Sequence, residues 1–80
     1  MRHYNENYEI REAFCNQCGK SLRVENGIIK EGCFHVDYVW GYFSTLDGQK
    51  HCFDLCEECY RKLVQNFSLP VTKGEETELL

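Results

Sequence analysis

Two pairs of cysteines carry the strongest chemical signal in the sequence. Cys15 and Cys18 are separated by two residues, and so are Cys56 and Cys59. Four thiolates in two such pairs are the ligand set of a closed tetrahedral zinc site. The sequence therefore predicts one Zn²⁺ per chain, held by all four side chains. Because four cysteines leave no open coordination position, we expect a structural site and no enzymatic activity.

The same thiols could serve two other chemistries. A disulfide pair or a redox dithiol is the first alternative, but disulfides are rare in the cytosol. Iron is the second, because the sequence Cys-Asn-Gln-Cys-Gly-Lys at residues 15–20 resembles one knuckle of rubredoxin. The second pair is followed by Tyr60 and not by glycine, which favours zinc over iron.

Length and charge restrict the class of protein. A chain of 80 residues forms one small domain with a modest core, and such domains often need a metal, disulfides or a partner for stability. The formal net charge is −4 and the Lys and Arg residues are scattered, which argues against nucleic-acid binding without removing it. Residues 2–7 are polar, and no apolar run approaches the roughly 20 residues of a membrane span. We therefore expect a cytoplasmic protein with no signal peptide and no membrane contact.

Three further side chains could take part in the site. Cys33 and Cys52 each stand alone in a predicted strand, and free cysteine is among the most buried residue types. We therefore favour core or cross-strand positions for both. Two alternatives stay open: Cys52 could replace Cys56 as a ligand, or His51 could join the ligand set.

Strand and turn patterns divide the chain into three parts. Residues 1–6 are expected to be a polar N-terminal tail, residues 7–70 the zinc-binding domain, and residues 71–80 an acidic flexible C-terminal tail. Alternating apolar residues predict a strand before the first cysteine pair and another after it. Asn26-Gly27 lies between two short apolar segments, which predicts a tight hairpin.

The longest strand pattern runs from residue 33 to residue 43. Residues 50–53 are expected to pair back onto it through a turn at Asp47-Gly48. The long strand carries four aromatic side chains, namely Tyr38, Trp40, Tyr42 and Phe43. We expect one face of the strand to pack against a helix. An outward-facing Trp40 or Phe43 would instead mark a partner surface.

An amphipathic helix is predicted over residues 55–67, where apolar residues recur every three or four positions. Asp54 is expected to be its N-cap, with Glu57 completing a capping box. Pro70 ends the helical pattern. The second cysteine pair therefore begins a helix, whereas the first pair lies in a knuckle followed by Gly19.

These elements predict an α+β fold, with antiparallel β hairpins or a meander followed by one C-terminal helix. A knuckle, a hairpin and a helix whose first turn completes the site resemble a treble-clef zinc finger or a zinc ribbon. The segments Cys-Asn-Gln-Cys-Gly-Lys, Trp-Gly-Tyr-Phe-Ser and Phe-Asp-Leu-Cys-Glu-Glu-Cys-Tyr also resemble a group of small uncharacterised bacterial proteins of the Firmicutes. That resemblance covers most of the chain and implies no particular activity.

The function that these features predict is a structural zinc-binding module that acts as an adaptor. Its partner would be another protein or a second copy of the chain. A nucleic-acid-binding zinc finger is the first alternative, because treble clefs often serve that purpose. A thiol-redox or metal-handling protein is the second, because the chain has six cysteines.

Overall fold

The computed structural model describes residues 1–75, and within them short antiparallel strands precede one helix. The predicted α+β fold of hairpins followed by a C-terminal helix is therefore confirmed. The elements, in chain order, are β1 (Arg2–Tyr4), β2 (Ile10–Phe14), β3 (Ser21–Leu22), β4 (Val24–Glu25), β5 (Ile28–Ile29), β6 (Cys33–Val39), β7 (Lys50–Cys56) and α1 (Glu57–Gln65).

The first three strands form one sheet in the order β1-β2-β3. Arg2 lies opposite Ala13 and His3 lies opposite Glu12. The prediction of a polar tail over residues 1–6 is therefore wrong for β1. The sequence pattern hides this strand because an edge strand can satisfy its backbone on β2 while keeping one face in water.

A tight turn joins β4 to β5, as the sequence predicts. Val24 lies opposite Ile29, and the turn residues Asn26 and Gly27 have φ of +52° and +77°. Two consecutive positive φ angles characterise the type I′ turn that Asn-Gly favours. The strand predicted across residues 21–25 is split, because Arg23 separates β3 and β4, which belong to different sheets.

The longest strands, β6 and β7, form an antiparallel two-stranded ribbon. Val36 lies opposite Phe53, and His35 lies opposite Asp54. The predicted return strand at residues 50–53 is confirmed, and it continues to Cys56. The ribbon therefore delivers the second cysteine pair to the start of the helix.

Helix α1 begins later than the sequence pattern predicts. Cys56 is its N-cap and makes no side-chain capping hydrogen bond. The prediction that Asp54 caps the helix in a capping box is wrong. Asp54 still belongs to β7, and the residue is only 1% exposed. Its carboxylate lies among cationic groups, which stabilise a buried charge more strongly than one capping hydrogen bond does.

The core is small and includes two of the paired cysteines. Its buried apolar members are Ala13, Leu22 and Leu55, together with Cys15 and Cys56. A core of this size leaves the domain dependent on a further source of stability.

The aromatic side chains lie mostly outside that core. Phe34 packs against Tyr60 of α1, with ring centroids 4.9 Å apart. Tyr42 and Phe43 are 84% and 98% exposed. Core packing is therefore the wrong prediction for these two residues, which follow the end of β6 and so lie beyond the reach of the helix.

Residues 71–75 have no regular secondary structure. The remainder of the predicted C-terminal tail, residues 76–80, lies outside the described residues. In the part of the chain that is described, no helix is both long and apolar enough to cross a bilayer.

Candidate metal centre

The four predicted ligands come together at one point of the fold. The sulfur atoms of Cys15, Cys18, Cys56 and Cys59 all lie within 4.8 Å of one another. The first two belong to the turn after β2, and the other two belong to the junction of β7 and α1. The predicted set of side chains is therefore assembled, and it could hold a metal ion.

The turn that carries the first pair is closed by its own backbone. The N–H of Gly19 donates to the carbonyl of Cys15 at 2.8 Å, and the N–H of Cys15 donates to the carbonyl of Lys20 at 2.9 Å. Gly19 has φ of +80°, which glycine adopts without the steric cost that other residues meet. The N–H of Cys18 also points at the sulfur of Cys15, 3.5 Å away. The turn therefore directs both sulfurs to one side.

The second pair uses the change from strand to helix. Cys56 is the last residue of β7, and Cys59 lies in the first turn of α1. Residues three apart on a helix share a face. The register of β7 therefore fixes Cys56, and the helix then places Cys59 beside it.

Two thiols of the cluster, those of Cys15 and Cys59, have shifted pKa values. Burial raises the pKa of Cys15, but nearby backbone N–H groups, chiefly that of Cys18, lower it to about 6. Burial and the adjacent thiols of Cys56 and Cys15 raise the pKa of Cys59 to about 12. The opposite shifts of Cys15 and Cys59 reflect the cost of placing a second negative charge beside the first. A bound cation would remove that cost.

The spacing of the sulfurs matches a single tetrahedral ion. A metal about 2.3 Å from each sulfur places the sulfurs about 3.8 Å apart. The sulfurs of Cys18 and Cys56 are 3.9 Å apart. This pair already has the separation of a tetrahedral thiolate site, and the whole cluster, within 4.8 Å, could hold one ion.

Asp54 and Asn16 connect the two halves of the cluster. The N–H of Asn16 donates to the carbonyl of Asp54 at 2.8 Å, and the N–H of Asp54 donates to the Asn16 side-chain oxygen at 2.9 Å. Asn16 lies between the first two cysteines, and Asp54 lies two residues before Cys56. These two hydrogen bonds hold the turn that carries Cys15 and Cys18 against β7, close to Cys56.

The carboxylate of Asp54 is surrounded by donors. Arg2 Nε lies 3.1 Å away, His35 Nδ1 lies 2.9 Å away, and the Met1 ammonium lies 2.9 Å away. Burial raises the pKa of Asp54, but these groups, with the Met1 ammonium first, lower it to about 2. This role of Asp54 was not predicted. The available signal was the position of Asp54 directly after the predicted return strand at residues 50–53.

The other candidate ligands lie outside the cluster. Cys33 is half-buried beside Asp54, with its sulfur 3.4 Å from the carboxylate, and burial raises its pKa. Cys52 is exposed, with its sulfur 3.7 Å from Asp37. His51 accepts a hydrogen bond from Trp40 Nε1 at 3.1 Å. Neither replacement of Cys56 by Cys52 nor the addition of His51 is therefore observed.

No other group of three or more Cys, His, Asp or Glu side chains within residues 1–75 is spaced to hold a metal ion. Comparison with family models, curated proteins and solved structures finds no match to the chain. The resemblance to the Firmicute group therefore stays a prediction, and function is inferred below from the geometry of the cysteine cluster.

Proposed function

We propose that this protein is a structural zinc-binding module that works as a small adaptor for another protein. The observation that carries the proposal is the cluster of four cysteine sulfurs within 4.8 Å of one another. It joins a turn near the start of the chain to the start of the only helix in residues 1–75. A metal ion there closes a loop of about 40 residues, as a structural ion does in a domain with a small core.

Zinc is proposed over iron, and a structural role over a catalytic one. Zinc forms closed Cys₄ sites with tetrahedral geometry, and four thiolates leave no position for water or substrate. The second pair at a helix start supports a treble-clef arrangement, in which the two halves of the site differ. A zinc ion bound in this way contributes folding free energy and performs no chemistry.

The adaptor role rests on aromatic side chains at the end of the β6–β7 ribbon. We call residues 40–49, which connect the two strands, the hairpin end. Tyr42 and Phe43 are the most exposed aromatics there, and their ring centroids are 5.2 Å apart. Two large rings in water contribute nothing to the core, and aromatic residues are enriched at the centres of protein interfaces. The hairpin end is therefore the proposed partner surface.

Replacing Phe43 by alanine is expected to weaken partner binding strongly and to leave the fold intact. The ring is 98% exposed, so the change in unfolding free energy should stay within about 0.5 kcal/mol. An interface centre of this type loses at least about 2 kcal/mol when truncated, or roughly 30-fold in affinity. The measurement is quantitative affinity capture from the source cell, with the melting temperature of each variant recorded in parallel.

Leu69→Ala is the matched control, because Leu69 is also exposed and apolar but lies after the helix. Partner proteins that are captured by the wild type and by Leu69→Ala should be missing from the capture with Phe43→Ala. Equal capture by all three would show that the hairpin end is not the partner surface.

A further inference from the structure

The outer edge of β6 is unpaired in the described part of the chain. β6 bonds to β7 on one side, and the two strands form a separate two-stranded sheet. An open edge of this kind presents a row of free backbone donors and acceptors. With seven residues, β6 is also as long as β7 and longer than the other strands of residues 1–75.

The register shows which backbone groups point outward. The N–H of Trp40 donates to the carbonyl of Gln49 at 2.9 Å, so these residues form a hydrogen-bonded pair. Bonded pairs alternate along an antiparallel ribbon, and therefore even-numbered residues of β6 bond to β7. The residues whose N–H and C=O groups face the open edge are Cys33, His35, Asp37 and Val39.

The edge lacks the features that usually prevent strand addition. Natural proteins protect open edges with lysine, proline or a bulge. β6 has the sequence Cys-Phe-His-Val-Asp-Tyr-Val, and its pairing with β7 is regular throughout. Tyr38 and Val39 are more than half exposed. Strand addition therefore meets no lysine, proline or bulge on β6 itself, and the one carboxylate of the strand, that of Asp37, is paired with Lys50 Nζ at 3.4 Å.

The sequence of β6 is complementary to itself. In an antiparallel pair centred on Val36, His35 lies opposite Asp37 of the second copy, and Phe34 lies opposite its Tyr38. A polar pair of histidine and carboxylate and a pair of aromatic rings both stabilise cross-strand neighbours. In this register, odd-numbered residues of one copy lie opposite odd-numbered residues of the other. These are the residues whose N–H and C=O groups face the open edge, so each can bond to its partner in the second copy.

Other registers are less favourable. A shift by one residue places the outward-facing backbone N–H and C=O groups of one β6 opposite residues of the other β6 whose groups face β7. The hydrogen bonds between the two copies are then lost. A shift by two residues shortens the overlap and places His35 opposite His35, or Asp37 opposite Asp37. The centre at Val36 is thus the register in which length, charge and hydrogen bonding agree.

In this register, the Trp40 side chain of the second copy lies next to a surface cavity of the first. The cavity measures about 230 Å³ and is lined by Gly32, Cys33 and Phe34 with Glu57 and Tyr60. Continuing the register by one residue beyond β6 places Trp40 of the second copy opposite Gly32. The Glu57 side chain fills the space that a side chain of residue 32 would take, so the indole would enter the cavity beside the Glu57 carboxylate to reach the Phe34 and Tyr60 rings.

We propose that two copies of this chain pair through β6 in antiparallel orientation, with the two-fold axis at Val36. The result is a four-stranded sheet in the order β7-β6-β6-β7. Each copy offers the same surface, as an isologous dimer requires. The proposal rests on the metal-held fold of the proposed function, but it does not use Tyr42 or Phe43 of the hairpin end.

Charge substitutions at Val36 test the register directly, because only a pair centred there places residue 36 opposite itself. The wild type at about 100 µM, well above a micromolar Kd, is expected to have twice the 9.5 kDa mass of one chain. Val36→Lys and Val36→Glu should each be monomeric, since like charges then face each other. An equal mixture of the two variants should restore the dimer. The measurement is sedimentation equilibrium.

Leu69→Lys is the control for an added charge at an exposed apolar residue outside the ribbon, and it should stay dimeric. A monomeric wild type would overturn the proposal, and this result does not depend on whether any variant folds. Dimeric Val36 variants, or a mixture that stays monomeric, would also overturn it. Zinc content is measured on the same samples: a zinc-loaded monomer contradicts only the pairing, and a metal-free dimer contradicts only the zinc site.

Discussion

Replacing Cys18 by serine is expected to unfold the domain at 25 °C. Structural zinc contributes on the order of 10–16 kcal/mol to folding, whereas a core of this size rarely supplies more than about 3–5 kcal/mol. Serine cannot provide the thiolate that completes the tetrahedron, so most of the metal's contribution is lost. The measurement is zinc content together with a two-dimensional amide NMR spectrum of the purified variant.

Cys52→Ser is the matched control. Cys18 and Cys52 are both exposed cysteines, and only Cys18 belongs to the cluster. The Cys52 variant should keep its zinc and differ from the wild type by less than about 0.5 kcal/mol. If Cys18→Ser retained zinc and a native spectrum, Cys18 would not be a ligand on which the fold depends.

Replacing Asp54 by alanine is expected to cost about 1–3 kcal/mol of unfolding free energy. The change leaves Arg2, His35 and the Met1 ammonium without the buried carboxylate that they contact. The carboxylate is buried, but the side chains of Arg2 and His35 are 20% and 36% exposed, so water replaces part of the lost interaction and the cost is that of losing charge-assisted hydrogen bonds. Urea unfolding at saturating zinc measures the difference.

Two further variants separate this role from helix capping. Asp54→Ser keeps a good N-cap residue but removes the charge, so it should be about as unstable as Asp54→Ala. Asp47→Ala removes an exposed aspartate at the hairpin end and should have little effect. If Asp54→Ser were as stable as the wild type, the side chain would act as a helix cap, and its ionic contacts would contribute nothing to the unfolding free energy.

The local features of the fold could be predicted from the sequence. The spacing of the cysteines identified the four clustered thiols, because ligand spacing is itself a local geometric constraint. Asn26-Gly27 predicted the turn between β4 and β5, since few dipeptides tolerate two positive φ angles. The pairing of β6 with β7 followed from two apolar segments separated by a turn.

The features that depend on distant partners could not be predicted. Asp54 precedes the helix in the sequence, which predicts a cap, but its role depends on contacts with Arg2 and His35, which are distant in the sequence. The strand β1 could not be predicted for the same reason, because its pairing depends on the edge of β2. The exposure of Phe43 also depends on where β6 ends relative to α1, which periodicity does not specify.

The central claim is that one Zn²⁺ ion bound by Cys15, Cys18, Cys56 and Cys59 keeps this domain folded. The most direct measurement is titration of the purified protein with a strong zinc chelator, with released metal and the amide NMR spectrum recorded at each step. We predict that one zinc per chain is released, and that the native amide signals lose intensity in proportion to the zinc released. A metal-free sample that keeps its native spectrum and melting temperature would contradict it.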